Sequence, residues 1–248
     1  MFIPIGDQPN PRGVGPMTVL LILANVIVYV MVTLPLSSLP ANPADPRFAA
    51  YLQAVAPYLP PGVSLQSVAR TVSAYELFTF QYGYRPAAPS LTALFSAMFL
   101  HAGLLHVAGN MLFLWIYGDN VEHRLGPIRF LFWYLATGVA ASLSHALFAG
   151  RSPLPLIGAS GAISGVLGFY FVWFPHHQVR FLVLLPFFVH VVLVPAWIAL
   201  GLFLLVDNLL PFVVAPSGAG VAYGAHIGGF VVGAIVAYLK RTDAARRS

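Results

Sequence analysis

Charged side chains are so sparse that they divide the chain unaided. Residues 13–44, 86–118, 130–150, 152–179, 181–206 and 208–239 contain no Asp, Glu, Lys or Arg. Each run exceeds the ~18–20 apolar residues that a helix needs to cross the hydrocarbon core. A seventh uncharged run, 48–69, holds Gln53, Pro57, Pro60 and Pro61 and does not read as a span. The pattern predicts six transmembrane helices, near 16–36, 93–118, 130–149, 157–174, 186–209 and 222–239. The first begins at Pro16 and stays apolar for longer than the ~7–15 residues of a signal-peptide core, so it reads as an uncleaved helix.

The first two spans are separated by a long loop, 37–90. Within it Asp45-Pro46 has the form of a helix start, a capping residue followed by proline at the first helical position. Phe48, Tyr51, Leu52, Val55, Tyr58 and Leu59 then recur on one face, as in a helix lying flat at the membrane interface. Ser64 to Phe78 predicts a second such helix, with Val68, Val72 and Tyr75 on one side. The expected fold class is an all-α membrane protein, one six-helix domain over 1–248 whose long first loop carries interfacial helices.

Composition agrees with this pattern. Of the 248 residues 59% are hydrophobic and 8% charged, and the mean hydropathy is +0.83. A typical soluble domain carries roughly 25% charged residues, so these few cannot coat a water-soluble globule. Cysteine is absent, which excludes disulfide scaffolds, thiol nucleophiles and cysteine-ligated metals. The net charge of +5 is not a nucleic-acid signal, because Lys240, Arg241, Arg246 and Arg247 cluster beside the last apolar run, where they suit a cytoplasmic, lipid-facing end. Six spans put both termini on one side. That side would hold Arg12, Arg124, Arg129, Arg180 and the four terminal basic residues, against Arg47, Arg70, Arg85 and Arg151 on the other, which predicts cytoplasmic termini.

Polar residues inside spans are candidate functional groups. His101, His106 and Asn110 fall in the second predicted span, His145 in the third, Ser160 and Ser164 in the fourth, His190 and Asp207 in the fifth and His226 in the sixth. The second, fourth and sixth helices all run outside to inside, which sets His106, Asn110, Ser160 and His226 at similar depth toward the outer face. His106 and Asn110, spaced i, i+4, share a helix face. Gly161/Gly165 and Gly229/Gly233 are small-xxx-small pairs next to Ser160 and His226, and such pairs let transmembrane backbones approach closely. If these faces meet, Ser160 and His226 come within hydrogen-bond reach. A serine hydroxyl is a weak nucleophile until a neighbouring base takes its proton. A serine at a helix N-terminus also places unpaired N–H groups beside the reacting carbonyl. No buried acid is evident as a third member, so a Ser–His dyad is the simpler reading. His145 and His190 read as structural, His123, His176 and His177 as solvated turn residues, and Trp115 and Tyr117 as interface anchors.

The segment His101-Ala102-Gly103-Leu104-Leu105-His106-Val107-Ala108-Gly109-Asn110 resembles the H-x-x-x-x-H-x-x-x-N signature of the rhomboid family. Gly158-Ala159-Ser160-Gly161 resembles its G-x-S-G nucleophile motif and Ala225-His226-Ile227-Gly228-Gly229 its A-H-x-x-G motif. Tyr117-Gly118 through Glu122 and Leu125-Gly126 also read like the family's segment after its second helix, so the likeness covers roughly 91–240. The family's arginine-bearing motif in the first loop is not evident here. The resemblance implies an intramembrane serine protease that cleaves other membrane proteins in or near their transmembrane segments and needs no metal or organic cofactor. Position by position it implies Ser160 as nucleophile, His226 as general base, His106, Asn110 and Gly158 on the oxyanion side, and His101 as auxiliary. It further implies transmembrane-protein substrates, membrane lipids as surroundings and no nucleic-acid partner. The expected location is a plasma (inner) membrane, with the site opening to the outer face. Residues 211–224, with Pro211, Pro216, Gly218 and Gly220, and the fifth helix are the expected gate.

Three rivals stay open at the level of sequence. His101, His106 and His226 could hold zinc in a membrane metallohydrolase, although no H-E-x-x-H or nearby carboxylate accompanies them. Polar residues in spans also mark transport pathways, which would spread them through the membrane. A client-binding rhomboid relative that does not cut is expected to lack the serine or histidine that this chain keeps.

Overall fold

The computed structural model describes residues 2–10, 13–185, 188–214 and 223–245. The chain is a helical integral membrane protein. Strand β1 (Phe2–Gln8) precedes α1 (Pro16–Ser37), and the first loop folds into α2 (Pro46–Val55), α3 (Leu65–Thr71) and α4 (Ala74–Tyr82). Then come α5 (Leu91–Phe99), α6 (Leu104–Leu125), α7 (Pro127–Ala149) and α8 (Ser160–Trp173). A hairpin of β2 (Gln178–Leu185) and β3 (Phe188–Pro195) leads to α9 (Ala196–Val214) and α10 (Tyr223–Ala245). Among the described residues four helices, α1, α7, α9 and α10, are long and apolar enough to cross a membrane, and α5 with α6 forms a fifth candidate span bent by 90°.

At the centre stands α8, whose residues Gly161 to Tyr170 are all buried. It is apolar and only 14 residues long. Its most extensive neighbour is α10, followed by α7 and α6. The two small-residue pairs meet as expected. A Cβ on Gly229 would overlap the Gly161 carbonyl oxygen, and one on Gly233 the carbonyl of Gly165. Gly168 abuts the Phe230 backbone in the same way. Absence of side chains along this seam is what lets the two helices touch backbone to backbone.

At the end of the bundle away from Ser160, α6 holds the start of α1. The Glu122 carboxylate, 2% exposed, accepts from the Met17 N–H at 2.9 Å, the Thr18 N–H at 2.7 Å and the Thr18 hydroxyl at 2.8 Å. An acidic group here satisfies the free donors at the helix start and faces the positive end of its dipole. Gly15 and Gly118 make room for it, since a Cβ on Gly15 would overlap Glu122 and one on Gly118 would press on Thr18 at 3.1 Å.

The first loop forms a small core of its own. Phe48, Tyr51 and Ala54 of α2 pack with Ala41, Val72, Leu77 and Phe80. Asp45 caps α2 through the Arg47 N–H, as the Asp-Pro pair predicts, and the Arg47 guanidinium holds its carboxyl at about 2, below the usual carboxylate range. The single helix expected over 64–78 is instead two. Ser73 and Glu76 form a capping box that starts α4, and the Glu76 carboxylate also accepts from the Tyr51 hydroxyl at 2.8 Å.

Two predicted spans are corrected. The span at 93–118 is not one helix, because the chain turns sharply before Leu104 and α6 then runs on to Leu125. Asp119 and Glu122, which suggested an end, are buried within the helix. The predicted 186–209 span opens with strand β3, and its helix is Ala196–Val214. An uncharged run cannot tell one long helix from a strand plus a helix, but Val189, Val191, Val192 and Val194 favour a strand and Pro195 caps the helix that follows. Antiparallel pairing of β1 with β2 and β2 with β3 gives a three-stranded sheet in the order β1-β2-β3. Of the expected gate, residues 215–222 lie outside the described residues. Tyr117 is not an interface anchor: it is 1% exposed and meets Tyr170 edge-on at 5.0 Å, whereas Trp115 is half exposed.

Candidate active site

Ser160 is the first residue of α8, and His226 lies in the first turn of α10. The glycine seam brings them together, with His226 Nε2 2.8 Å from Ser160 Oγ. The other ring nitrogen, Nδ1, lies 2.7 Å from Asn208 Oδ1 of α9. The sequence reading missed Asn208. It is a polar residue in an apolar run, but beside Asp207 it drew no separate attention, and a π-helical turn over Leu205–Leu209 is what rotates it inward. Asn208 is 1% exposed while Asp207 faces outward.

The segment entering α8 is held from several sides. Tyr84 and Leu156 exchange backbone hydrogen bonds at 3.0 and 2.8 Å, and the Gly158 N–H donates to the Ala97 carbonyl at 2.8 Å. His101, with no exposed surface, accepts from the Ala159 N–H through Nε2 at 3.4 Å. The His101 backbone is itself clamped by the Tyr75 hydroxyl, which donates to its carbonyl at 2.8 Å and accepts from its N–H at 3.0 Å. In this way the first loop, through α4, fixes the turn that presents Ser160.

Gly158 has φ +119, a conformation that favours glycine. A Cβ there would lie 2.7 Å from His106 Nε2 and 3.7 Å from Ser160 Oγ. The glycine therefore keeps open a gap between the serine hydroxyl and the His106 ring. His106 Nδ1 accepts from the Ala102 N–H at 3.3 Å, so its proton resides on Nε2, which faces that gap as a donor. Asn110, one turn further along α6, is buried, and its Nδ2 has no partner. A buried, unpaired amide donor is costly unless something else comes to accept from it. Small residues, among them Ala97, Gly138, Ala141 and Ala225, line a narrow recess beside Ser160.

Ser160, His226, His106 and Gly158 thus converge, with Asn110 on the same face of α6 and His101 behind His106, ring to ring at 5.0 Å. The described residues contain no group of three His, Cys, Asp or Glu able to hold a metal ion. His145 of α7 stands beside the start of α10, its Cα 3.7 Å from where a Cβ on Gly224 would lie, and His190 is in β3 opposite Val183. His177, expected to be solvated, is instead partly buried, with Nδ1 3.8 Å from Asp7 Oδ2.

Comparison with known proteins supplies the family context. The model of the rhomboid domain matches residues 88–242. A rhomboid protease of Bacillus subtilis, GluP, is 47% identical over 75 residues, which are 30% of this chain and 14% of that protein. Rhomboid protein 1 of Saccharomyces cerevisiae mitochondria is 32% identical over 157 residues, 59% of this chain and 41% of its own. The rhomboid protease GlpG of Yersinia pseudotuberculosis is 28% identical over 157 residues, 61% of this chain and 49% of its own. The chain spans less than half the length of each of these relatives.

Proposed function

The chain belongs to the rhomboid family, and from that premise we propose that it is an intramembrane serine protease working through Ser160 and His226. The observation that carries the proposal is the 2.8 Å hydrogen bond between Ser160 Oγ and His226 Nε2. Nε2 takes the hydroxyl proton as Oγ attacks the carbonyl carbon of a peptide bond. The oxyanion of the tetrahedral intermediate develops in the gap that Gly158 leaves open. There the His106 Nε2–H, the Asn110 amide and the free N–H groups at the start of α8 stabilise it. His226 then returns the proton to the departing amine, and water, activated by the same base, releases the acyl group from Ser160. No step calls on a metal or an organic cofactor.

The substrates are transmembrane proteins. A stable helix hides its scissile carbonyls in hydrogen bonds, so substrates carry helix-weakening residues near the outer end of their span. Both termini lie in the cytoplasm, and the site opens to the outer face of a plasma membrane, on the argument of the basic residues. The fifth membrane helix, α9, gates access from the membrane.

The test is cleavage of a single-span substrate by the purified protein in detergent or liposomes. Product that resists EDTA and disappears in both Ser160→Ala and His226→Ala supports the proposal. Product abolished by EDTA overturns it in favour of a metallohydrolase. Absence of both product and fluorophosphonate labelling at Ser160 overturns it in favour of a client-binding protein.

A further inference from the structure

Asn208 owes its position to a local departure from α-helical geometry. Over Leu205–Leu209 the helix widens to a π turn, and its neighbours Asp207 and Leu209 stay exposed while Asn208 is buried. Such bulges recur where a helix has to re-aim one side chain. The Asn208 Nδ2 donates to the Phe203 carbonyl oxygen at 2.9 Å. A backbone carbonyl can only accept, so the amide nitrogen belongs on that side and the amide oxygen on the other. Oδ1 therefore faces His226 Nδ1 at 2.7 Å, a separation that requires a proton between them. An amide oxygen cannot donate, so the proton sits on Nδ1. The lone pair of the neutral ring is then on Nε2, which faces Ser160 Oγ at 2.8 Å.

We propose that Asn208 is a positioning residue for the Ser160–His226 pair: it selects the Nδ1–H tautomer, fixes the ring plane and supports the imidazolium that forms as the serine proton moves. The inference rests on the reading of Ser160 and His226 as nucleophile and base. A histidine base needs its second nitrogen engaged, or the neutral ring also populates the tautomer that turns a protonated nitrogen to the nucleophile. A neutral amide performs this task without placing a permanent charge inside the bundle, where an ion without a close partner is expensive. Asp207, one residue away, is on the exposed side and cannot substitute.

The test uses the full chain in detergent with 15N-labelled histidine, comparing wild type, Asn208→Leu and Asn208→Asp. Leu has the same branched skeleton as Asn, though it is bulkier, and has no acceptor, whereas Asp keeps the acceptor at nearly the volume of Asn. In the wild type the His226 Nδ1 signal is that of a protonated nitrogen and Nε2 that of an unprotonated one. Asn208→Leu mixes the two tautomers and lowers kcat on the order of 10- to 100-fold with KM unchanged, and Asn208→Asp recovers most of the loss. A wild-type His226 protonated on Nε2 overturns the inference, and so does an Asn208→Leu protein with the wild-type tautomer and kcat. The tautomer signal does not depend on turnover. A wild type that neither cleaves nor labels at Ser160 counts against the protease reading alone, with Asn208 still judged by NMR.

Discussion

Gly158 and His106 approach so closely that a single methyl group on the glycine would lie 2.7 Å from the imidazole Nε2. The same methyl would lie 3.7 Å from Ser160 Oγ, in the space that the proposed mechanism assigns to the oxyanion. Gly158→Ala therefore combines backbone strain at φ +119 with an obstructed site. Cleavage should fall by at least about 100-fold, the loss expected when one oxyanion donor is displaced. Comparing substrate turnover with thermal unfolding of the same protein separates obstruction from misfolding, since obstruction leaves a cooperative unfolding transition.

Glu122 satisfies three donors at the start of α1. Glu122→Ala strands the Met17 and Thr18 N–H groups and the Thr18 hydroxyl in a buried setting. At about 1 kcal/mol for each lost hydrogen bond, the variant should be about 2–4 kcal/mol less stable, measured as resistance to unfolding by denaturing detergent. Glu122→Gln retains one acceptor oxygen and should recover part of the loss. Equal stability of Glu122→Ala and wild type would show that α1 does not depend on this cap.

What the sequence revealed follows from how far each signal reaches. Charge sparsity located the membrane-crossing regions because burying a charge in lipid is costly wherever it occurs along the chain. The same rule misplaced the end of α6, because Glu122 is satisfied by Met17 and Thr18 of α1, partners a sequence does not show, and Asp119 is buried with its carboxylate bonded to the neighbouring Asn120. Ser160 and His226 were legible through topology and the glycine pairs beside them. Asn208 was not, since a π turn changes which side of a helix a residue faces and no residue pattern announces it. Strand β1 was missed for a similar reason: its exposed and buried positions make sense only once β2 is beside it.

The α8–α10 seam tolerates no side chain at Gly229, where a Cβ would overlap the Gly161 carbonyl. Gly229→Ala pushes apart the two helices that carry Ser160 and His226. We expect it to cost about 1–3 kcal/mol in stability, the usual penalty of overpacking, with a loss of cleavage larger than that destabilisation explains. Gly201→Ala is the matched control. A Cβ on Gly201 meets nothing within 4 Å and the residue lies in regular helix, so the exchange should raise stability by up to about 1 kcal/mol and leave cleavage unchanged. Denaturation midpoints and initial rates on the two variants check both statements.

Strand β1 is held to the bundle through a carboxyl whose ionisation opposes its own docking. Asp7 accepts from the Asn120 amide at 2.9 Å and from the Tyr170 hydroxyl, and burial pushes its pKa up to about 6. Tyr117 and Asp119 of α6 and His177 after α8 stand close by. An exposed Asp titrates near 3.8, so the docked strand binds a proton that the released strand gives up. Docking contributed by Asp7 is thus fullest below about pH 4, weakens as pH rises through about 6 and is level above that. The change amounts to about a hundredfold at most in the opening equilibrium. His177, whose pKa burial lowers, acts in the opposite sense, so the informative quantity is the difference between wild type and Asp7→Asn, which leaves His177 in place. Hydrogen exchange of the Phe2–Gln8 amides between pH 4.5 and 8, corrected for intrinsic rates, should show protection falling with pH in the wild type relative to the variant. Parallel profiles for the two proteins would mean that β1 docks without regard to the charge on Asp7.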